Sequence, residues 1–439
     1  MKLKIERMTY GPDAVAHTED GKTVFVTGAV TGDVVDATVT KDAKSFMRAT
    51  TKEILEPSAL REQAVCPYFG ICGGCPWGGL SRAAQLEEKQ SNVRFNLMKI
   101  GHFSEDEVDS LLKDIAYDSR EWGYRNKIEL TPFKQNGKLS FGMHGLNNNQ
   151  MINVKKCPLF EKSQAGAIKS VAGALSYLSN SRELDIERVG IRASRRTKDL
   201  EIALWTPTGP FPRAQVTRVL QDAVKSSSIV RVMSKGDKRA RKVSSVEALS
   251  GAGSWSEQIC GETMRLSAPS FFQVNTSAAE ILINAVIEGL DPQEGELAVD
   301  LYCGAGTFTL PLARKCDFVA AVEAYGPAVR DLRRNLEIAN IDWVDVIGGD
   351  AAREFPDEEA DILVVDPPRA GLAEEVVDLI CNTNARAVAY VSCDPATLAR
   401  DLRRFIDRGI FAPQSILPVD LFPQTFHVET VTILKRVAK

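Results

Sequence analysis

One cysteine of the chain stands where a thiol can act as a nucleophile. The stretch YVSCDPATLARDLRRF places Cys393 between an apolar run, typical of a buried strand, and an amphipathic run, typical of a helix. Asp394 suits the cap of that helix and Pro395 its first turn. A thiol at the amino terminus of a helix has its thiolate favoured by the local positive potential. The residues therefore predict a nucleophilic thiolate at Cys393, with a buried strand-end cysteine as the alternative.

A glycine-rich turn further upstream predicts a nucleoside-containing cofactor. In VDLYCGAGTFTLPLA, Gly304 and Gly306 lie between a predicted strand and a predicted helix, where small residues let a ligand approach backbone donors. The turn fits dinucleotides as well as S-adenosylmethionine, but Thr309 replaces the third glycine of the nicotinamide fingerprint. Glu323 ends the next strand, where it can accept both ribose hydroxyls, and Asp350 ends a third strand, where an acid can meet an adenine amine. Solvated strand-end acids are the alternative for both.

A proline-stiffened loop follows another predicted strand. In VVDPPRAGL, Asp366 stands at the carboxyl end of the strand, which is where ligands bind in parallel sheets. A DPP loop resembles that of amino-methyltransferases, which normally follow it with an aromatic residue that stacks on the target base. Arg369 occupies that place here, which counts against amino methylation.

A second group of cysteines has the spacing of metal ligands. CPYFGICGGC places Cys66, Cys72 and Cys75 as C-x5-C-x2-C, and Cys157 in KKCPLF supplies a distant fourth thiol. The chain has nine cysteines, an odd number that favours thiol chemistry and metal ligation over a disulfide framework. Four thiolates suit zinc or an iron-sulfur cluster, and the spacing alone does not separate the two.

The elements that must position these residues divide the chain of 439 residues into about three folding units. Residues 1–56 alternate short apolar runs with turn residues and predict a small OB-like β-barrel. Residues 57–267 predict a central α+β domain that holds the metal-ligand cysteines, and a helix within 81–115 is expected to pack on the next domain. Residues 268–439 repeat strand, loop and helix, which predicts a parallel, doubly wound Rossmann-like α/β domain.

The composition excludes several classes of protein. Hydrophobic residues make up 44% and charged residues 26%, which excludes a disordered or fibrous chain. The 54 basic and 58 acidic residues give a net charge of -4, which taken alone argues against a nucleic-acid partner. That net charge averages acidic stretches with local basic surfaces, so it does not decide the question. The sequence contains no 18-residue apolar run and no signal-peptide pattern at its start, so we expect a cytoplasmic protein without a membrane partner.

Four of these stretches together carry a family resemblance. VDLYCGAGTFTLPLA, VDPPRAGL, YVSCDPATLARDL and DLFPQTFHVETV, in this order and spacing, resemble the RNA uracil-C5 methyltransferases, and the match covers nearly the whole chain. The amino-terminal segment resembles the RNA-binding TRAM domain. The combination is most similar to the iron-sulfur members that form 5-methyluridine in 23S rRNA. By this resemblance the carboxy-terminal domain is an S-adenosylmethionine-dependent methyltransferase.

The resemblance also implies roles for individual residues. Cys393 is the nucleophile that adds to C6 of uracil, and Glu429 is the general base that removes the C5 proton. The S-adenosylmethionine site is implied at Gln273 in SFFQVN, Tyr302, Glu323, Asp350 and Asp366. A [4Fe-4S] cluster, in a structural or RNA-positioning role, is implied at Cys66, Cys72, Cys75 and Cys157.

RNA is the expected partner, and three basic stretches are candidates to contact it. They are Lys44, Phe46 and Arg48 in the predicted barrel, Arg125 in a YRN motif, and Lys238, Arg239 and Arg241 in a basic run that spans residues 231–242. Ribosomal RNA is the expected substrate and the T-loop uridine of tRNA the alternative. We expect a monomer.

Two other functions are alternatives from different classes. An amino-methyltransferase that uses the DPP loop would not need Cys393. A non-catalytic RNA-binding or RNA-folding factor would retain the fold without the chemistry, although the intact glycine turn, Cys393 and Glu429 argue against it.

Overall fold

The computed structural model describes residues 1–146, 150–236, 242–356 and 359–437. Its first part is a six-stranded sheet in the order β1-β5-β6-β4-β3-β2. The strands are β1 (Lys2–Lys4), β2 (Arg7–Met8), β3 (Ala14–His17), β4 (Thr23–Thr27), β5 (Val34–Asp42) and β6 (Phe46–Glu56). In β4 every second side chain is buried, and Val24 and Val26 pack into a core of their own with Val35. A separate β-domain is what the alternation of apolar residues predicts.

The segment after this sheet contains two helices, where a single helix within 81–115 was expected. They are α1 (Arg82–Lys99), capped by the Ser81 side chain, and α2 (Glu105–Leu111), which begins with a capping box at Ser104. The chain bends at Gly101, where a Cβ would lie 2.7 Å from the carbonyl oxygen of Leu97. Side chains of both helices, including Leu97 and Val108, pack in one core with the carboxy-terminal sheet.

The central part is a seven-stranded sheet in the order β10-β9-β8-β11-β12-β13-β14 with two helices. Its elements are β8 (Lys127–Gln135), β9 (Lys138–His144), β10 (Met151–Ile152), α3 (Ala167–Ser179), β11 (Arg188–Ala193), β12 (Leu200–Pro207), α4 (Arg213–Ala223), β13 (Ser228–Lys235) and β14 (Lys242–Gly251), preceded by the short strand β7 (Ala116–Tyr117). Apolar side chains of α3 and α4 cover the sheet and form its core.

The carboxy-terminal part is built on an eight-stranded sheet in the order β19-β18-β17-β20-β21-β23-β22-β7. Its elements are β15 (Trp255–Ile259), β16 (Glu262–Leu266), α5 (Thr276–Leu290), β17 (Leu297–Leu301), α6 (Thr309–Ala313), β18 (Phe318–Glu323), α7 (Gly326–Ala339), β19 (Val344–Gly348), β20 (Ile362–Val365), α8 (Glu374–Asn382), β21 (Ala387–Ser392), α9 (Pro395–Arg408), β22 (Phe411–Asp420) and β23 (Glu429–Arg436). Helices α5, α6 and α7 cover one face, and α1, α2, α8 and α9 cover the other.

This sheet is parallel over five strands and antiparallel at one side, so the expectation of a wholly parallel sheet is corrected. Strands β19, β18, β17, β20 and β21 pair in parallel. The last strand, β23, runs antiparallel to both β21 and β22, because the connection over residues 421–428 contains no helix and is too short for a crossover unit. The hairpin brings the start of β23 to the edge where the parallel strands end.

The hairpin of β15 and β16 belongs to the core of this sheet, although the expected boundary after residue 267 assigned it to the central domain. Trp255 and Leu266 are buried together with side chains of α5 and α7. The amide of Arg265 donates to Asn335 Oδ1 at 2.7 Å, and the amide of Ser267 donates to Asp331 Oδ2 at 2.8 Å. Short-range patterns do not report such packing.

Among the described residues, no helix is both long enough and apolar enough to span a membrane.

Candidate active site

Four candidate residues lie at one edge of the carboxy-terminal sheet because they follow strands that run in parallel. Tyr302 follows β17, Asp366 follows β20 and Cys393 follows β21, while Glu323 is the last residue of β18. These strands are neighbours in the sheet, so their carboxyl ends form one cleft edge. Glu429, the first residue of β23, reaches the same edge from the opposite direction.

The glycine turn after β17 has the backbone conformation that a closely approaching ligand requires. Gly304 has a φ of 59°, and a Cβ placed on it would meet open space. Gly306 has a φ of 101°, and a Cβ there would lie 2.5 Å from a methyl carbon of Leu310. Tyr302 also has a positive φ, 63°, which is uncommon for a residue with a side chain. The turn is therefore open on the cleft side and tightly packed on the helix side.

Glu323 is held in place by backbone donors. Its Oε2 accepts a hydrogen bond from the amide of Gly304 at 2.9 Å, and its Oε1 accepts one from the amide of Tyr325 at 2.6 Å. Each carboxylate oxygen retains a second lone pair that can accept from a hydroxyl. Such an anchored carboxylate is suited to the two adjacent hydroxyls of a ribose.

Two further acids make the cleft unusually acidic. Burial, followed by the charge of Glu323, raises the pKa of Asp366 to about 7. Asp300, on β17, is fully buried and was not among the candidates from sequence; burial raises its pKa to about 7 although the Thr309 hydroxyl donates to its Oδ2 at 2.6 Å. An aspartate inside an apolar strand was the signal that could have identified it. A cationic ligand in this cleft would be stabilised by these groups.

Cys393 lies directly before α9, as predicted, but its ionisation differs from the prediction. Asp394 caps the helix, with Oδ1 accepting from the amides of Ala396 at 3.0 Å and Thr397 at 3.2 Å. Burial, followed by the charges of Glu429 and Asp366, raises the pKa of Cys393 to about 12. The expectation of a favoured thiolate is therefore wrong for the free protein, because burial and the surrounding acids outweigh the helix terminus.

Glu429 is buried next to the thiol. Its side chain is 4% exposed and makes no hydrogen bond to any residue that the structure describes. Burial, followed by the charge of Asp366, raises its pKa to about 8. A carboxyl group with such a pKa can exchange protons near neutral pH, as a general base must.

Gln273 and Asp350 are the two remaining candidates for the cofactor site. Gln273 is buried, and its Oε1 has no hydrogen-bond partner among the described residues, which leaves an acceptor available to a ligand. The carbonyl of Gln273 accepts from Asn126 Nδ2 at 2.9 Å. Asp350 is exposed and accepts from the amide of Ala352 at 3.0 Å, and its charge contributes, after burial, to the raised pKa of Tyr302.

The comparisons with known proteins agree with this geometry. The tRNA (Uracil-5-)-methyltransferase family matches residues 258–361 and 354–437, and the TRAM domain matches residues 1–52. An uncharacterized RNA methyltransferase of Gloeobacter violaceus is 33% identical over 455 residues, which cover 99% of this chain and 96% of that protein. The chain belongs to the RNA uracil-C5 methyltransferase family.

Two further comparisons extend over the whole methyltransferase. An uncharacterized RNA methyltransferase of Listeria innocua is 30% identical over 446 residues, which cover 99% of this chain and 97% of that protein. The crystal structure of Pyrococcus abyssi tRNA (uracil-54, C5)-methyltransferase in complex with S-adenosyl-L-homocysteine has the same fold, with a TM-score of 0.77. It is 23% identical, and the alignment covers 99% of this chain and 100% of that one. The family depends on S-adenosylmethionine as methyl donor.

The residues at the sheet edge fit S-adenosylmethionine. The anchored carboxylate of Glu323 suits the hydroxyls of a ribose. Gly304 leaves open space in which a ligand can approach the backbone, and the unpaired Oε1 of Gln273 can accept from a polar group of the ligand. Burial, followed by the charge of a neighbouring acid, raises the pKa of both Asp366 and Glu429, and a sulfonium cation would favour their charged forms.

His427 precedes Glu429 by two residues, and its ring carries no positive charge at neutral pH. Burial, followed by the charges of Arg369, Lys89 and Arg125, lowers its pKa to about 4. Its ring packs against Phe426 with a centroid distance of 4.2 Å. The neutral ring thus packs against its neighbour.

The four metal-ligand candidates interact through their charges. Burial, followed by the charges of Cys157, Cys66 and Cys72, raises the pKa of Cys75 to about 12, so all four thiols interact. Within the described ranges, however, no three His, Cys, Asp or Glu side chains are grouped so that they could hold a metal ion. The donor chemistry fits a metal centre, but the cluster is not shown, and no step of the mechanism is routed through it.

Arg125 is close enough to two of these cysteines and to His427 for its charge to affect them. Its positive charge acts on the pKa of Cys75, Cys157 and His427, and its buried Nε has no partner in the described part of the chain. A buried guanidinium nitrogen without an acceptor is costly unless a ligand supplies one.

The other predicted RNA contacts differ in their surroundings. Lys44 and Arg48 are exposed and Phe46 is half-buried, on the hairpin of β5 and β6, and Arg48 forms an ion pair with Asp13 at 2.8 Å. Lys238, Arg239 and Arg241 lie outside the described residues. Arg231, which begins the basic run, is 1% exposed and donates to Thr206 Oγ1 at 2.8 Å, so it is structural.

Proposed function

We propose that this methyltransferase forms 5-methyluridine at a specific uridine of 23S rRNA by covalent catalysis through Cys393. The observation that carries the proposal is that Cys393 follows β21 and Glu429 begins the adjacent strand β23, at the edge that also holds Glu323 and Asp366. A nucleophile, a base and a methyl-donor site there can act on one pyrimidine ring.

The chain's own residues would divide the reaction as follows. The bound S-adenosylmethionine would supply an electrophilic methyl group. Because the raised pKa keeps Cys393 protonated in the free protein, its thiol would release its proton to solvent when substrate and cofactor bind. The thiolate then adds to C6 of the uracil, and C5 thereby becomes the nucleophilic carbon that accepts the methyl group. Glu429 then removes the C5 proton, the bond between C6 and sulfur breaks, and Cys393 leaves as a thiolate. Asp366 would hold the uracil edge. Because a stacked base cannot reach this buried edge, the uridine must be flipped out or lie in a loop.

A methyl-transfer assay tests the chemistry. With labelled S-adenosylmethionine and RNA from cells that lack the gene, the wild-type protein should incorporate label and Cys393→Ala should not. Cys381→Ala, which alters a buried cysteine in α8 away from the cleft, is the matched control and should retain activity. Activity that survives in Cys393→Ala would contradict covalent catalysis and favour the amino-methyltransferase alternative.

The identity of the RNA requires a separate experiment. The TRAM domain and the cysteine group favour rRNA, since by the family resemblance the smaller bacterial tRNA enzymes generally lack both. Mapping 5-methyluridine in rRNA and tRNA from the deletion strain should show a missing modification in 23S rRNA. Loss from the tRNA T-loop instead would assign the alternative substrate.

We also propose that Cys66, Cys72, Cys75 and Cys157 bind a [4Fe-4S] cluster. Four thiols that interact electrostatically form a suitable donor set, and the family resemblance favours iron over zinc. Anaerobically purified protein should be brown with about four irons per chain. Stoichiometric zinc without visible absorbance would contradict this assignment.

Contacts with the RNA are proposed at two surfaces. Arg125, with its unpaired buried Nε, would contact the substrate near the target base. Lys44, Phe46 and Arg48 would contact RNA farther from the catalytic pair, and Lys238, Arg239 and Arg241 stay predictions from sequence. Substitution of Arg125 should reduce turnover, whereas Lys44→Ala should mainly weaken RNA binding and lessen its salt dependence. A cytoplasmic, monomeric enzyme is expected.

A further inference from the structure

A turn of the amino-terminal domain reaches the nucleophile. Residues 9–13 connect β2 and β3, and the hydroxyl of Tyr10 donates a hydrogen bond to the carbonyl oxygen of Cys393 at 2.5 Å. The two residues are 383 positions apart in the chain. The Tyr10 ring packs edge-on against Phe426, with a centroid distance of 5.6 Å, and against His427, at 6.3 Å. Tyr10 therefore contacts both the residue that carries the thiol and the segment that leads to Glu429.

Hydrogen bonds hold this turn in a single place. The Thr9 hydroxyl donates to the carbonyl of Asp13 at 2.6 Å, which closes the turn. The buried indole of Trp77 donates to the carbonyl of Gly11 at 3.1 Å, and the amide of Trp77 donates to the carbonyl of Gln424 at 3.1 Å. One residue, Trp77, thus ties the Tyr10 turn to the segment before Glu429 through its side chain and its backbone amide. A contact made from an ordered scaffold can fix the position of a catalytic group.

The chemistry of the surroundings keeps Tyr10 a donor. Burial, followed by the charges of Asp394, Cys393 and Glu429, raises the pKa of its phenol far above the ordinary value. It therefore holds its proton throughout the pH range of catalysis and cannot act as the base. The carbonyl that it contacts lies one residue beyond the last residue of β21, Ser392, where the sheet ladder no longer fixes the backbone.

We propose that Tyr10 is a positioning residue that fixes the backbone of Cys393, so that the amino-terminal domain completes the catalytic site. The inference rests on the proposed function, because it assumes that Cys393 is the nucleophile. The hydroxyl orients the thiol toward C6 of the uracil without touching the substrate. The amino-terminal domain then has two tasks, contact with RNA and the ordering of the nucleophile.

The test is Tyr10→Phe, which keeps the ring contacts and removes only the hydroxyl. Loss of one hydrogen bond of about 1.4 kcal/mol should lower kcat about tenfold, with KM for S-adenosylmethionine and for RNA changed less than about twofold. RNA that contains 5-fluorouridine provides a second readout, because fluorine at C5 cannot be removed as a proton and the adduct with Cys393 accumulates. Adduct formation should slow by the same factor as kcat.

The matched control is Tyr390→Phe. Tyr390 is a buried residue of the strand that leads to Cys393, and its hydroxyl donates to Asp401 Oδ2 at 2.8 Å. This variant should unfold at a lower temperature than the wild type yet keep kcat and the adduct rate, both measured below its unfolding transition. The inference would be overturned if Tyr10→Phe kept the wild-type kcat and adduct rate, or if it changed only KM for RNA. An equal loss of kcat in Tyr390→Phe would also overturn it. The wild-type protein is first shown to methylate RNA and Cys393→Ala to be inactive. A failure of the proposed function would appear in that experiment, before Tyr10→Phe is tested.

Discussion

Glu429 lies near the thiol of Cys393, and its charge contributes, after burial, to the raised pKa of that thiol. The register of β21 and β23 brings the two residues together, because it pairs Ser392, which precedes Cys393, with Thr430, which follows Glu429. A thiol on one side of a flat pyrimidine and a carboxyl group beside it are what addition at C6 and proton removal at C5 require.

Glu429→Gln should stop the reaction after methyl transfer. Glutamine keeps the size of the side chain but cannot accept the C5 proton, so turnover should fall at least about a hundredfold and a covalent RNA adduct should accumulate. Denaturing gels of enzyme incubated with RNA and S-adenosylmethionine measure the adduct. Glu201→Gln is the matched control, because Glu201 is also fully buried with a pKa raised to about 7, but lies in the central sheet. Normal turnover without an adduct in Glu429→Gln would exclude Glu429 as the base.

Binding of S-adenosylmethionine should release protons. The pKa values of Asp366 and Glu429, raised to about 7 and about 8, should fall when a sulfonium cation enters the acidic cleft. Calorimetry at pH 7 in buffers of different ionisation enthalpy measures the protons released. S-adenosylhomocysteine, which lacks the positive charge, should release fewer, and Asp366→Asn should reduce the release with S-adenosylmethionine. Equal proton release by the two ligands would contradict this electrostatic account.

The contribution of Asp300 to the stability of the cofactor-free protein should decrease as pH rises from about 4 to about 7. Asp300 has an ordinary pKa of 3.8 when exposed and about 7 when folded, so in this range only the folded state holds its proton. The free energy of unfolding therefore falls with increasing pH, by up to about 1.4 kcal/mol per pH unit for one such carboxyl. Urea unfolding at several pH values should show a shallower decrease in Asp300→Asn than in the wild type. An identical slope in both proteins would show that Asp300 ionises in the folded state.

Gly306→Ala should damage the cofactor turn. The added Cβ would lie 2.5 Å from Leu310 and 2.6 Å from Leu332, at a φ of 101° that side chains rarely adopt. We expect a loss of about 1–3 kcal/mol in stability and a marked loss of affinity for S-adenosylmethionine. Gly295→Ala is the control, since it has a φ of 88° but open space around the Cβ. Calorimetry at one temperature measures the affinity of both variants for S-adenosylmethionine. Equal affinities of Gly306→Ala and Gly295→Ala would show that the turn tolerates the added methyl group.

Local patterns predicted many of the elements at the active site. The cap at Asp394, the glycine turn before α6 and the strands that end near Glu323 and Cys393 all occur where their residue types indicate. Each depends on neighbours within a few positions, so a single sequence contains the information. The antiparallel strand β23 and the docking of β15 and β16 on α7 were not predicted, because both depend on long-range pairing.

The sequence by itself determined which side chains could do chemistry and the local backbone that presents them. Only the tertiary structure decided the pKa values of these side chains and the long-range contacts that hold them. Burial and the charge of Glu429 raise the pKa of Cys393, although its position before a helix suggested the reverse. Tyr10 supports the carbonyl of Cys393 from 383 positions away. Desolvation and charge depend on distance in space, which no short-range pattern records, whereas caps and turns depend on distance along the chain.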